Sequence, residues 1–461
     1  MKKRILLFGL LLSSALPGYS QWAVDTLPVA KMHLGAVTFQ DKIYFIGGEY
    51  YSNETSEVSV FNCITSSWDS SMNISNSRSL TTCISGDSGI YVLGGRLWDY
   101  GYGWARYYNG SRRIDIFKNG AWQTDSISIP DPVWGGRALK VGSRLLFTGF
   151  VDSIDYITSD IYASKKVYIF DESTGTWSTD SLSSPRTELG AATDGTIALF
   201  AGGVNGLGIV SDVVDIYNSV SNTWTTSSLS VARACLGATY ANGKFYFAGG
   251  ELGGIISYPS DVVDVYDGSG WSTMQLSVPR AKVEVAAIND EVYFMGGCNV
   301  DLNFLPFPDG RPAFSTVDVL NTSQGDWSRK DFNTPHANFA CATWGNKIFA
   351  AGGGLKSWCQ GSPCGPSYMF EMEIRDVTLG MEDLPGKISM EVYPNPSAGG
   401  FTILLPEDQA EIRITDIVGQ EIMYTKTTDR LTNLQLEING IYFVMVKTKN
   451  GTATRKIIIS N

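Results

Sequence analysis

WTTSSLSVARACLGATYANGKFYFAGG, running from Trp224 to Gly250, holds the plan of the chain. A Trp opens a strand, a basic residue closes the following loop, an apolar β run comes next, and a Gly pair ends it. The arrangement recurs. Trp22, Trp68, Trp122, Trp177, Trp224, Trp271 and Trp327 precede Gly47, Gly94, Gly149, Gly202, Gly249, Gly296 and Gly352 by 25, 26, 27, 25, 25, 25 and 25 residues. Large apolar residues also fall at fixed places, three residues before each Gly pair (Tyr44, Tyr91, Leu146, Leu199, Tyr246, Tyr293, Phe349) and five to seven before the Trp (Phe61, Phe117, Phe170, Tyr217, Tyr266, Leu320). Stacked sheets need this pattern, because each must bury both faces against its neighbours.

With 49 Gly, abundant aromatics and no long amphipathic helical pattern, the 461 residues read as all-β. Residues 1–20 read as a secretory leader, with Lys2, Lys3 and Arg4, then the short apolar run Ile5 to Leu12, and small residues Gly18 and Ser20 before the cleavage point. That run is too short to span a bilayer and no later stretch reaches the length required, so no transmembrane segment is expected. Cleavage takes the net charge from −11 to about −14, and the eight basic and eight acidic residues from Lys387 onward cancel. The repeat region is therefore acidic, which argues against nucleic acid as a partner. Of seven scattered cysteines, only Cys359 and Cys364 are close enough in sequence to suggest a local disulfide. Cys83 and Cys341 stand where other units have Ala or Val and read as small buried residues.

Each unit reads as four strands: one after the basic residue, a second into the Gly pair, a third such as DVVDIYN (212–218), and a fourth at the Trp. A period of 47 to 56 residues with these landmarks resembles the kelch repeat, over roughly Gln21 to Asp376. The resemblance implies a β-propeller. The third unit departs from the pattern, with FTGF (147–150) in place of the Gly pair, and distortion is expected there. The ends are complementary: Trp22 begins an orphan fourth strand, and the last third strand, SYMFEMEI (367–374), has no Trp at the expected distance after it. The reading is a seven-bladed kelch propeller over 21–377, closed by its N-terminal strand. The alternative is an incomplete last blade with Trp22 packed elsewhere.

Past a linker at 378–387, residues 388–461 lose the period and alternate apolar and polar residues, which predicts a small C-terminal β-sandwich. Tyr393-Pro394-Asn395-Pro396, Gly400-Phe401, Asp416 with Gly419-Gln420, Gly440-Ile441-Tyr442 and Lys456-Ile457-Ile458 resemble the type A sorting domain of the type IX secretion system of Bacteroidota-type bacteria. That resemblance implies the type IX machinery as partner and a secreted or outer-surface location. An accessory carbohydrate-binding sandwich is the other reading.

Strand alternation sends the loops before the first strand and after the Gly pair to one face. The loops at 96–113, 150–166, 298–315 and 354–368 are long, whereas the turns on the opposite face are short. Binding is expected on the elaborated face. Sixteen residues before the Gly pairs stand Lys31, Arg78, Arg186, Arg233, Arg280 and His336, with Val133 in the third unit. They suit a basic ring that holds a carboxylate or sulfate, or a set of ties between blades. Trp98, Tyr102 and Trp104, with Tyr100, Tyr107 and Tyr108 nearby, suit sugar stacking or a protein surface, or a loop core. Asp152, Asp155 and Asp160 match no calcium-loop spacing. Copper-radical oxidases share the kelch propeller but need several histidines and a Tyr-His pair, and this chain has only His33 and His336. Sialate mutarotases share it without a metal. The expected function is a monomeric, cofactor-free module that binds a glycan or protein. The alternative is an extracellular enzyme acting on sugars, which a channel carboxylate of raised pKa would favour.

Overall fold

The computed structural model describes residues 22–50, 53–100, 106–124, 129–155, 160–253, 258–299, 312–354, 369, 371–377, 390–395, 397–405, 408–416, 420–449 and 451–460. The leader, the linker, Tyr102, Trp104, Cys359, Cys364, Pro396 and Gly419 lie outside them. The chain divides into two compact units, residues 1–377 and 378–461. Every regular element among the described residues is a β-strand, and none of them is a helix long and apolar enough to cross a membrane.

In the first unit, antiparallel sheets follow one another along the chain, called here sheets 1 to 7. Sheet 5 shows the pattern: Gly237–Ala241, Lys244–Ala248, Val262–Tyr266 and Trp271–Gln275, hydrogen-bonded in that order. Its second strand is buried on both faces after the first residue, as a strand between stacked neighbours must be. The first strands of the sheets are Gly35–Phe39, Thr82–Ser85, Arg137–Val141, Gly190–Thr193, Gly237–Ala241, Glu284–Ile288 and Ala340–Trp344. Each touches the next, and the last touches the first. The sheets therefore surround an axis, with these strands innermost, in a propeller-like arrangement.

Two details hold neighbouring sheets together. At the Gly pair, Gly249 has φ +63° and an added Cβ would lie 2.4 Å from the Arg280 carbonyl of sheet 6. The Gly250 amide then donates to that same carbonyl at 3.0 Å. Glycine is needed because two backbones meet where a side chain would sit. The link recurs from Gly48 to Arg78, Gly95 to Val133, Gly203 to Arg233, Gly297 to His336 and Gly353 to Lys31. The fourth-strand Trp supplies the second contact: Trp224 Nε1 donates to Asp180 of sheet 3 at 2.8 Å, and Trp271 Nε1 to Ser227 of sheet 4 at 2.8 Å.

Sheet 3 departs less than its sequence suggests. Its strands Arg137–Val141, Arg144–Thr148, Lys166–Asp171 and Thr176–Ser181 pair without a register shift. Phe150 replaces the second glycine, is fully buried, and packs on Tyr168 with ring centroids 5.9 Å apart. Thr187 Oγ1 donates to the Gly149 carbonyl at 2.9 Å, a side-chain link to sheet 4.

Sheet 7 takes its outer strand from the other end of the chain. Ala23–Thr26 pairs antiparallel with Glu371–Asp376, with Ala23 opposite Ile374 and Thr26 opposite Glu371. Trp22 is buried against Phe332 at 4.6 Å, and its Nε1 donates to the Lys330 carbonyl at 2.6 Å. The pocket left by the missing fourth-strand Trp is thus filled by Trp22, which closes the ring.

In the second unit, Glu391–Tyr393, Gly400–Leu404 and Leu431–Gln435 form one sheet. Ala410–Asp416, Glu421–Thr427, Gly440–Thr448 and Gly451–Ile459 form another. Phe401 and Ile403 from the first share one core with Ile412, Ile414, Val444, Val446, Ile457 and Ile459 from the second. The alternation along Gly440–Thr448 has this cause: inward residues are apolar, and every second residue faces water.

Candidate functional site at the mouth of the ring

The basic residues expected to form a ligand cradle are placed elsewhere. Lys31, Arg78, Arg186, Arg233, Arg280 and His336 are all buried, and each is paired with a carboxylate on the third strand of its own sheet. Arg78 bonds Asp115, Arg186 bonds Asp215, and Lys31 bonds Glu57. Arg233 Nη1 lies 2.7 Å from Asp264, Arg280 Nη2 2.8 Å from Asp318, and His336 Nε2 3.3 Å from Glu373. Burial works to depress the basicity of the four arginines, and their carboxylate partners oppose it. Spare donors go to carbonyls, as when Arg233 Nε donates to Gly249 O at 2.8 Å. A guanidinium with no exposed surface and a committed carboxylate cannot grip a ligand at the rim. These residues brace the loop of each sheet, and this corrects the expectation of a ligand-binding basic ring.

Sheet 3 supports that role. Val133 replaces the basic residue, and Tyr168, opposite Phe147, stands where sheet 5 has Asp264 opposite Phe247. Both members of the pair are lost together. The Tyr168 hydroxyl turns instead to Asp131 at 3.0 Å, with Lys166 on the same carboxylate.

Two residues further along each loop lies a position that repetition of residue type does not reveal. His33, Leu80, Gly135, Glu188, Cys235, Lys282 and Asn338 all have φ between +50° and +72°. Their backbones are hydrogen-bonded from sheet to sheet: His33 N to Asn338 O at 3.1 Å, Leu80 N to His33 O at 2.9 Å, Gly135 N to Leu80 O at 3.0 Å, Cys235 N to Glu188 O at 2.7 Å and Lys282 N to Cys235 O at 3.0 Å. They form a collar around the axis. The residues just before them bridge to those just after the Gly pairs, as in Met32 with Glu49 and Ala234 with Glu251, so the collar lies on the elaborated face.

The collar is polar in two arcs. In one, burial pulls the basicity of Lys282 down, but nearby charges, Glu188 foremost, raise it above the ordinary lysine value. It therefore stays an ammonium. Cys235 Sγ sits 3.6 Å from Glu188 Oε2, and burial together with that charge holds its thiol well above the usual range. Burial likewise pushes Cys83 up to about 12. None of these is a thiolate nucleophile. In the other arc, His33 Nδ1 lies 2.8 Å from Glu49, which also pairs with Arg96. Burial works to raise Glu49, but His33 and Arg96 outweigh it and hold the carboxyl at about 2.

Below the collar, burial raises the Glu284 carboxyl while Arg137 opposes it. Glu284 is on sheet 6 and Arg137 on sheet 3, so the pair faces across the axis. Beside the collar, the hairpin Arg96–Tyr100 with Arg106–Gly110 adjoins a second hairpin, Val151–Asp155 with Asp160–Ala163. Trp98 is opposite Tyr108 in the first. The third, Glu49–Tyr50 with Asn53–Glu54, touches it from the other side. Asp152 has its carboxyl raised by burial, and Asp155 is opposite Asp160.

The sorting motif is built into the second unit. Asn395 Oδ1 accepts the Ile458 amide at 3.0 Å, and the buried Tyr442 donates its hydroxyl to Ile438 O at 2.9 Å. Gly440 opens the strand that carries Tyr442, and Lys456 is opposite Phe443. Tyr393 and Pro394 are exposed.

No curated protein matches the chain. The solved structure entitled "Structure of YjhT" aligns with 66% of this chain and 99% of its own length, at TM-score 0.51 and 15% identity. At that identity the likeness is one of fold, and it agrees with a propeller-like first unit. Residues 391–460 match the family described as a secretion system C-terminal sorting domain. The chain therefore carries the address of the type IX secretion machinery, which exports it to the cell surface or the extracellular space.

Proposed function

We propose that the exported protein is a seven-bladed kelch propeller that binds an extracellular glycan at the axial mouth of its elaborated face. The leader 1–20 is removed after Ser20, residues 21–377 form the propeller, 378–387 the linker, and 388–461 a β-sandwich sorting domain. The mature protein is a monomer that needs no cofactor to bind its ligand. One observation carries the reading: the hydrogen-bonded collar brings Glu188, Cys235 and Lys282 together in sequence around the axis, with Glu188 acting on the Lys282 charge and Arg137 on Glu284. Alternating donors and acceptors around a concave mouth suit the hydroxyls and acidic substituents of a sugar.

The test is a glycan array probed with the mature protein, then titration of the best hit. Lys282→Met and Glu188→Gln are expected to weaken binding at least about tenfold with little change in melting temperature. Binding unchanged by both would place the ligand elsewhere. The second reading, an enzyme acting on sugars in the manner of sialate mutarotases, is favoured by Glu284, an axial carboxyl raised by burial. Accelerated anomer exchange of the bound sugar, lost in Glu284→Gln, would favour that reading. The copper-radical route has less support, because it needs several histidines and a Tyr-His pair, and the chain has only His33 and His336 and no such pair.

A further inference from the structure

Sheet 7 breaks the charge rule of the other sheets. Where sheets 2, 4, 5 and 6 set one Arg against one Asp, sheet 7 sets His336 against two carboxylates, Glu371 and Glu373. The imidazole lies 3.0 Å from the Gly352 carbonyl through Nδ1, and a carbonyl only accepts, so Nδ1 carries a proton. Nε2 then points at Glu373 Oε1, 3.3 Å away, and at Thr334 Oγ1, 3.5 Å away. Thr334 Oγ1 is also 3.1 Å from Glu373 Oε1 and is bonded to Glu371 Oε2. One hydroxyl proton is shared among three acceptors.

We propose that His336, Glu371 and Glu373 form a divalent-cation site, best suited to Zn²⁺, that fastens the seam where the ring closes. The donor spacing allows it. One ligand atom each from His336, Glu371 and Glu373 lies within 4.8 Å of the other two, and His336 Nε2 is 3.3 Å from Glu373 Oε1, the edge of roughly 3.3–3.4 Å that tetrahedral bonds of about 2.0–2.1 Å give. Thr334 Oγ1 or a water takes the fourth position. The charge fits as well, because a dication with a neutral imidazole cancels two carboxylates, the task a guanidinium performs against one Asp elsewhere. The supporting shell is in place. Gly352 O orients the ring, while Asn333 N at 2.8 Å, Asn333 Nδ2 at 2.9 Å and Thr334 N at 3.0 Å hold Glu373. The location gives the site its role: Asn333 Nδ2 also donates to Trp22 O at 3.0 Å, and Glu371 is opposite Thr26 of the closing strand.

The experiment uses the tag-free mature chain, dialysed against EDTA and titrated with Zn²⁺. One equivalent is expected to bind and to raise Tm by roughly 5 °C at saturation. Glu371→Gln keeps the bond to Thr334 but removes a charged ligand, and is expected to cost at least about 100-fold in affinity. His336→Arg with Glu371→Gln copies the arrangement of sheets 2 and 4 to 6; this variant is expected to fold and to show no zinc-dependent shift. Absence of stoichiometric zinc, or an equal shift in the double variant, overturns the proposal. Cobalt(II) loading of the wild type decides without variants. Intense visible bands of a tetrahedral nitrogen–oxygen site support it, and a thiolate charge-transfer band or an octahedral spectrum refutes it.

Discussion

Replacing Arg233 tests whether the basic residues brace the sheets. Arg233 and Asp264 are both fully buried, and the guanidinium also bonds Gly249 O at 2.8 Å and Phe247 O at 3.1 Å. Arg233→Val strands a carboxylate in a dry interior and leaves those carbonyls with fewer donors. Removing one member of a buried pair costs about 3–5 kcal/mol. Asp264→Tyr strands the guanidinium and also loses the acceptor of the Ser230 amide, bonded at 3.1 Å, so its cost is expected to be similar. The two changes together recreate the Val133 and Tyr168 of sheet 3, which pairs in regular register without either charge. The double variant is therefore expected to be less destabilised than the sum of the singles by at least about 2 kcal/mol. It will not reach wild type, because sheet 3 also fills the space with Phe150, whereas a Cβ on Gly250 would lie 2.4 Å from Ala234 O. Urea unfolding of the four proteins gives the coupling energy directly. Additive singles would refute the bracing role. Normal stability in Arg233→Val with lost glycan binding would restore the arginine to the ligand site.

Glu49, held at about 2 against an ordinary value of 4.5, contributes about 3 kcal/mol. Because its folded pKa is depressed, that contribution is present above pH 4.5 and is lost as pH falls towards 2; Glu49→Gln is expected to flatten the acid limb of a stability–pH curve, and an unchanged limb would show the charge is not held. Trp22→Ala is expected to cost about 3–5 kcal/mol and to expose the closing strand to hydrogen exchange; native-like exchange at residues 23–26 would count against it. Truncation before Ile388 is expected to leave a folded first unit trapped in the periplasm, seen by cell fractionation, and surface delivery without the sorting domain would contradict the assignment.

The sheet order and the closing strand were legible because packing repeats. Trp, Gly pair and buried aromatic recur at fixed distances, and the orphan Trp22 strand could pair with one edge only. The third unit misled because FTGF (147–150) removes the repeated glycine, yet strand pairing depends on backbone bonds that Phe150 does not interrupt. The basic positions were found, but the sequence left ligand ring and structural tie both open, since the acids that commit them lie 26 to 38 residues downstream: Asp115 for Arg78, Asp264 for Arg233, Glu373 for His336. A covarying pair was visible in hindsight, as Val133 and Tyr168 depart together.

The collar was missed for a physical reason. His33, Leu80, Gly135, Glu188, Cys235, Lys282 and Asn338 share a backbone conformation but no side-chain chemistry. A structural position repeats in residue type because every sheet imposes the same packing on it; a position that repeats only in φ has a fixed backbone and an unconstrained side chain. Left-handed φ is costly for Leu, Glu, Cys and Lys, roughly 1–2 kcal/mol each, and glycine would avoid that cost. Six of the seven places carry a side chain nonetheless. The sheet-to-sheet hydrogen bonds through these residues hold the strained conformation, so the scaffold bears the cost and the side chains are presented at the axis. Variation there changes what the mouth meets without changing how the ring is held, which is why the proposed binding site is the collar, while the strength of the ring rests on the pairs beneath it.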